Sequence, residues 1–326
     1  MRGKAAVRAA RQFAGPRRPS SVPLNENPRS AGRADALHLA WKVIVYVLLY
    51  FAVAFVLGPL LYWLGGYVVS ITVTGLLAAS FSNAMCLRIY VQRGIAAIGL
   101  QSDKAALANF GFGCIGGIGA AALVLAGPLL FQAARMQRDP SSPASVSSFF
   151  FVSVLLLFGA AGEELLFRGF GFQILVAALG GWTTILPAGV LFAILHGGNP
   201  NASWLGLVNT AGFGILFGYA FLRSHDIWLP IGLHFGWNFT LPLFGVNVSG
   251  LTIRLTGFTM RWSAGTLWSG GEYGPEASII TSAVLLLLFV YLWKAPIRRQ
   301  FTALVEPPAG DVTCAPGQPS SPSLLP

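Results

Sequence analysis

The residues able to do chemistry fall into three short groups: Glu163-Glu164-Leu-Leu-Phe-Arg168, Phe192-Ala-Ile-Leu-His196 and His234-Phe-Gly-Trp-Asn238. In each group the first or second residue and the last stand four apart, so on a helix they share one face. Each group also lies in or at the end of an apolar run. An ionisable side chain inside a bilayer costs roughly 2.5–3.5 kcal/mol on insertion scales, and such groups normally face a protein interior and carry a function. Together the three groups supply two carboxylates, one guanidinium, two imidazoles and one amide, nearly all the polar chemistry expected within the apolar segments. The three faces are therefore expected to converge on one cavity.

This set suits hydrolysis. A desolvated glutamate beside a second glutamate is a usable base near neutral pH. A neutral histidine can share in activating water or ligate a metal, and histidine and asparagine can donate hydrogen bonds to a developing oxyanion. No serine, cysteine or aspartate belongs to the set, which argues against a covalent triad, and there is no HExxH. A purely structural reading makes Glu164 and Arg168 a clasp between helices. A proton relay would use the same residue types, but strung along a path rather than bunched. Of the remaining histidines, His225 reads as a helix-end or interfacial residue, and His38 falls in the N-terminal tail.

The elements that must position these groups are apolar helices. Of 326 residues, 55% are hydrophobic and only 10% charged, against about 25% charged in soluble domains. The fold class is an all-α polytopic membrane protein with about eight transmembrane helices, near Trp41–Leu64, Val68–Val91, Asn109–Ala134, Phe149–Ala178, Trp182–His196, Trp204–Leu222, Ile227–Gly245 and Ser278–Trp293. The fourth is overlong, and Gly169 and Gly171 are expected to bend it. The run Gly111–Gly119 lacks the Lys-Ser/Thr of a phosphate loop and reads as close helix packing through small residues. In the long loop Val246–Glu276, Leu251, Ile253 and Leu255 alternate with polar residues, which suggests a short hairpin.

The flanks are different in composition. Residues 1–39 read as a disordered basic tail, residues 40–294 as the membrane domain, and residues 295–326 as a disordered Pro/Ser-rich tail. The tail has no signal-peptide core or cleavage site. Its Arg17-Arg18 pair precedes the next apolar run by roughly twenty residues, too far for a good twin-arginine leader. An organellar transit segment shares its Arg-rich, acid-poor character. The net charge is +10, but eight of the 21 basic residues lie in the first 33 positions and most others flank apolar runs. That pattern sets orientation and gives no face for nucleic acid. With the N-tail inside, Arg88, Arg93, Lys104, Arg223, Lys294, Arg298 and Arg299 are cytoplasmic. Arg135, Arg138, Arg254 and Arg261 are outside, so both termini are cytoplasmic. Cys86, Cys114 and Cys314 have neither disulfide nor zinc-thiolate spacing.

Glu163-Glu164-x-x-x-Arg168, Phe192-x-x-x-His196 and His234-x-x-x-Asn238, in that order within apolar segments, resemble the three motifs of the CPBP intramembrane protease family. That family comprises type II CAAX prenyl endopeptidases and bacterial relatives linked to bacteriocin processing or self-immunity. The resemblance covers about Phe149–Gly245. It implies an eight-helix fold with a catalytic cavity among the central helices, in a bacterial plasma membrane. It also implies a membrane protein or lipidated peptide as substrate, the bilayer as partner and no nucleic acid. On this chain Glu163 and His196 would activate water, His234 and Asn238 would stabilise the oxyanion or hold a metal, and Glu164 and Arg168 would support the site. The family is described both as metal-dependent and as using glutamate directly; a divalent metal such as Zn would be held by Glu163, His196 and His234. A non-catalytic immunity or scaffold protein of the same fold, or a proton-coupled transporter, is the alternative.

Overall fold

The computed structural model describes residues 28–140 and 145–306. The basic stretch before residue 28, residues 141–144 and the end from Pro307, which includes Cys314, lie outside the described residues. All elements of the site belong to the unit Trp41–Pro326.

Each apolar segment forms helix. The run α1 (Pro28–Tyr90) covers the first two segments, and Gly66, at φ 77° and ψ −172°, divides it into two helices across a kink. Only glycine adopts that backbone geometry at no steric cost. His38 lies in α1, exposed, and not in an irregular tail as its composition suggests. The helix α2 (Lys104–Leu130) starts where the Asp103 side chain accepts the Ala106 N–H. The overlong fourth segment is two helices, α3 (Val146–Arg168) and α4 (Phe170–Leu179), broken at Gly169; Gly171 lies inside α4. Then come α5 (Gly181–His196), α6 (Trp204–Ser224) and α7 (Trp228–Leu243). A short α8 (Thr266–Ser269) and the final α9 (Ile279–Lys294) follow. Ser203 and Ser278 cap α6 and α9 by accepting N–H groups of the first turn, which satisfies donors that a membrane helix cannot give to solvent.

Asp35–Tyr90, Lys104–Leu130, Val146–Leu179 and Trp204–Ser224 are long and apolar enough to cross a membrane; Gly181–His196 and Ile279–Lys294 are shorter apolar helices. Large apolar side chains such as Phe55, Trp63, Leu130 and Trp204 stand exposed on the outside, as lipid-facing residues do. The chain is an integral membrane protein.

The glycine run packs as its small residues require. A Cβ on Gly113 or Gly117 of α2 would strike the backbone of α7 around Leu229–Trp237, and one on Gly232 or Gly236 would strike α2. The two helices therefore touch backbone to backbone, and α7 is held in a fixed register.

The hairpin expected at Leu251–Leu255 is not present. The loop instead forms a tight Val248–Leu251 bridge, while Leu251, Ile253 and Leu255 pack around Leu156. The strand that does form, β2 (Phe258–Trp262), pairs antiparallel with β1 (Ala134–Arg138) from the loop after α2. Alternation alone could not show that the side chains were needed against α3. Residues 295–306, grouped by composition with the C-terminal tail, are also built in. Gln300 N–H donates to Ser224 C=O, Ala303 N–H to Ala97 C=O and Arg298 N–H to the Asn109 side chain.

These contacts sort the connections into two sets. The stretches 91–103, 224–227 and 295–306 bond to one another. The stretches 131–139, 197–203 and 244–278 do the same at the other end, through β1–β2 and Asn199 to Ser249. In the first set Asp226 is buried, accepts the Leu229 N–H at the start of α7 and takes a hydrogen bond from Asn109. Burial pushes its carboxyl up to about 6, against the lowering effect of its hydrogen bonds. A carboxyl raised in the folded state favours folding below its unfolded pKa near 3.8, and that contribution is lost as pH rises through about 6. The stability of the wild type relative to Asp226→Asn should therefore fall between pH 4 and pH 6.5, by about 3 kcal/mol at most. Thermal unfolding in detergent across that range checks this; a constant gap would show that Asp226 keeps an ordinary carboxyl.

Candidate functional site

The site begins with a charge pair inside α3. Glu164 and Arg168 are both fully buried, and Arg168 Nη1 lies 3.0 Å from Glu164 Oε2 across one helical turn. The alignment is that of a charge contact and not of a directed hydrogen bond. Nη2 of Arg168 donates to the Gly214 carbonyl on α6 at 2.6 Å. The guanidinium also lies 5.5–5.6 Å from the ring centres of Phe167, Phe192 and Phe217, where ring faces attract a cation. Arg168 thus joins α3 to α5 and α6, so the clasp that the sequence suggests is real.

The helix break behind it is repaired by α1. Asn83 Oδ1 accepts the Phe170 N–H, and Asn83 Nδ2 and the Tyr46 hydroxyl both donate to the Leu165 carbonyl. Gln173 Nε2 donates to the Arg168 carbonyl from α4. Broken backbone inside a membrane is tolerated where side chains re-satisfy it. Tyr46, Asn83 and Gln173 are buried polar groups that the sequence reading passed over, so the three motifs do not hold nearly all of the buried polar chemistry. A rare asparagine or glutamine within an apolar run was the available signal.

The two histidines meet on one oxygen. His234 Nδ1 lies 2.9 Å from Glu164 Oε1, and His196 Nδ1 lies 2.8 Å from the Phe192 carbonyl. A carbonyl only accepts, and the Glu164 carboxyl is ion-paired with Arg168, so both Nδ1 atoms carry the proton. Both Nε2 atoms then point elsewhere, and each is 3.9 Å from Glu163 Oε2. That oxygen has no hydrogen-bond partner among the described residues. The rings are fixed by aromatic neighbours: His234 stacks on Phe217 at 4.8 Å and His196 lies 4.5 Å from Phe192. His196 ends α5 and His234 lies in the second turn of α7, yet both reach the same Glu163 oxygen.

Glu163, with 40% of its side chain exposed, faces a cavity of about 290 Å³. His196, His234 and Asn238 line it too, so all three motif faces do converge. Asn238 makes no hydrogen bond among the described residues, which leaves its amide available. His225 is where its reading places it: it caps α6 in the left-handed conformation at φ 53°, and Nδ1 lies 3.1 Å from Glu306. Glu276 was missed. It is 6% exposed and lines the same cavity, and burial raises its carboxyl while N–H bonds from Ser249 and Trp237 oppose that. The sequence placed it at the end of a loop, and its only signal was an acid beside an apolar segment in a chain with 11 acids.

The donor types suit a divalent ion of the zinc class: two unprotonated imidazole nitrogens and one carboxylate oxygen, with the Phe192 carbonyl and Glu164 orienting the rings from behind. As the side chains stand, no three His, Cys, Asp or Glu residues among the described residues are grouped to hold a metal.

Residues 145–240 match the family model for type II CAAX prenyl endopeptidases of the Rce1-like kind. The match takes in α3 to the last turn of α7 and includes every motif residue. At family level it supports an intramembrane protease. No curated protein and no solved structure matches the chain.

Because Arg168 is buried and joins three helices, Arg168→Ala leaves Glu164 an uncompensated charge, at a cost of about 3–5 kcal/mol. The expected result is a strong loss of folded protein in detergent, measured by size-exclusion recovery and melting temperature. Wild-type yield and stability would show that the pair is dispensable.

Proposed function

We propose that this chain is an intramembrane endopeptidase that hydrolyses a peptide bond with a water activated by Glu163 and His196. The observation that carries the reading is the convergence of His196 Nε2 and His234 Nε2, each 3.9 Å away, on an otherwise unpartnered Glu163 oxygen. A gap of 3.9 Å is too long for a direct hydrogen bond but accommodates a bridging water. Such a water donates one proton to Glu163 and one to the His196 lone pair, which leaves an oxygen lone pair for the scissile carbonyl. As the tetrahedral intermediate forms, the Asn238 amide donates a hydrogen bond to its oxyanion, and His234 does so in the form that carries a second proton on Nε2, with Nδ1 still held by Glu164. The C–N bond then breaks as the proton taken by Glu163 passes to the leaving amine. Glu164 and Arg168 hold His234 in place and do not touch the substrate. A divalent metal held by Glu163, His196 and His234 would instead supply Lewis-acid polarisation and a more acidic water. The bunching of these groups around one cavity favours this chemistry over a proton path.

The chain crosses the membrane eight times in this reading, in a bacterial plasma membrane, with both termini cytoplasmic. We take the cavity's mouth to lie where Asn199 and the 248–253 stretch line it, at the end opposite the one that carries Arg93, Arg223 and Arg298. Positive-inside orientation therefore turns the mouth away from the cytoplasm. Its substrate is a membrane protein or lipidated peptide whose cleaved bond is presented at that face. Reporter fusions at Pro23 and Pro319 should both read cytoplasmic, and Asn199→Cys should react with a membrane-impermeant thiol reagent added outside intact cells. Termini on opposite sides would make the number of crossings odd, and labelling only after permeabilisation would reverse the mouth.

Groups that act as a unit are non-additive on deletion. Glu163→Gln should abolish cleavage of a membrane peptide by purified protein, and adding His196→Ala should lower the residual rate by less than about threefold. The near-isosteric amide should leave insertion and peptide binding intact. Cleavage lost to a chelator and restored by a divalent ion would assign the histidines to a metal. Wild-type cleavage by Glu163→Gln would remove these residues from catalysis. An inactive wild type, with a cellular phenotype that Glu163→Gln preserves, would leave the immunity or scaffold role.

A further inference from the structure

The loop between α7 and α9 contributes a latch to the cavity. Glu276 Oε1 accepts the Trp237 indole N–H at 3.1 Å, and Oε2 accepts the backbone N–H of Ser249. Trp237 lies between His234 and Asn238 in sequence on α7, with its ring 4.7 Å from that of Phe213. Ser249 sits at the corner of a tight turn in which Val248 and Leu251 exchange backbone hydrogen bonds. Ser249 and Gly250 take φ values of 46° and 82° in that turn. Two successive left-handed residues favour Gly, Asn or Asp, and a serine there needs support from its surroundings.

The turn is held from three directions. Glu276 takes the Ser249 N–H, Asn199 Nδ2 donates to the Ser249 carbonyl at 3.0 Å, and Gly250 N–H donates to the Tyr273 carbonyl. Val248, Ser249 and Leu251 line the cavity together with Glu163 and His196. The N–H and C=O groups of Val248, Ser249 and Leu251 and the Gly250 N–H are thus all bonded, and what the turn offers the cavity is mainly a fixed wall of side chains.

We propose that Glu276 is a positioning residue for substrate: by tying the Val248–Leu251 turn to Trp237, it fixes the wall against which a bound peptide segment lies. This rests on the hydrolase reading above. A carboxylate suits the task because it accepts on both oxygens, one for α7 and one for the turn. A carboxamide in its place turns an NH₂ donor toward one of the two N–H groups and leaves that group unpaired. Glu276 makes no hydrogen bond to Glu163, His196, His234 or Asn238 among the described residues and reaches His196 through charge alone, so the reacting groups keep their bonded partners when the wall moves, and Trp237→Phe moves it with that charge in place.

The test compares wild type, Glu276→Gln and Trp237→Phe in detergent with one membrane peptide. Glu276→Gln should raise KM about tenfold and keep kcat within about twofold, at wild-type melting temperature within a few degrees. Trp237→Phe, which deletes one donor and keeps a ring, should raise KM a few-fold, and it decides the matter if Glu276→Gln fails to fold. An unchanged KM in the folded variant overturns the proposal, as does a fall in kcat at constant KM, which would put Glu276 on the reacting atoms. If the wild type cleaves nothing, the protease reading fails separately, and a fluorescent form of the same peptide gives the affinity directly. Binding about tenfold weaker in Glu276→Gln supports the latch; equal binding, or none to wild type, overturns it.

Discussion

The buried pair of Glu164 and Arg168 is the constraint on which the site depends. Two opposite charges at zero exposure are costly to place inside a membrane protein, and they persist only where further groups satisfy them. Here each member has such groups, and each supplies part of the site. Arg168 reaches the Gly214 carbonyl and three aromatic rings, which fixes α3 against α5 and α6. Glu164 takes the His234 N–H, which fixes α7 and the tautomer of its imidazole. The direction of His234 Nε2 toward Glu163 follows from that hydrogen bond together with the stacking of the ring on Phe217.

The same logic explains why the scaffold around the pair is irregular. A continuous helix through Gly169 would carry α4 along the axis of α3. The break turns the chain there, and Asn83 and Tyr46 from α1 take up the freed backbone groups. The short α5 and α7 likewise end where the cavity needs room, and the loops 197–203 and 246–278 close the space with polar backbone that is bonded within the protein. Irregular chain is tolerated in a membrane protein where it lines a cavity, as Asn199, Val248 and Ser249 do here. The glycine-mediated contact of α2 with α7 complements this: it leaves α7 no freedom to slide, so His234 and Asn238 keep their level relative to Glu163.

Much of this was legible from residue types and spacing. Four-residue spacing on a helix has one geometric meaning, so the faces that carry Glu164 with Arg168 and His234 with Asn238 could be read directly. The cost of isolated polar groups in lipid required those faces to meet. The Gly111–Gly119 run was legible as a packing surface because a missing Cβ has few other uses within an apolar helix. The limits of most helices followed from the same apolar runs.

What only the tertiary structure decided are the pairings between segments distant in sequence. Helical spacing says that Glu163 and Glu164 point in different directions, but not which one faces the cavity and which one faces Arg168 and His234. Alternation at Leu251–Leu255 has the period of a strand, yet those residues were claimed by the apolar surface of α3, while β2 found its partner more than a hundred residues earlier in β1. Glu276 has no local pattern at all: its importance comes from Trp237 and Ser249, which lie far away in the chain and beside it in space. Sequence periodicity fixes what one segment can bury, because it reports the geometry of a single backbone. Which buried group meets which is set by packing between segments, where one hydrogen-bond partner or one unfilled volume chooses among arrangements that the local pattern leaves equal.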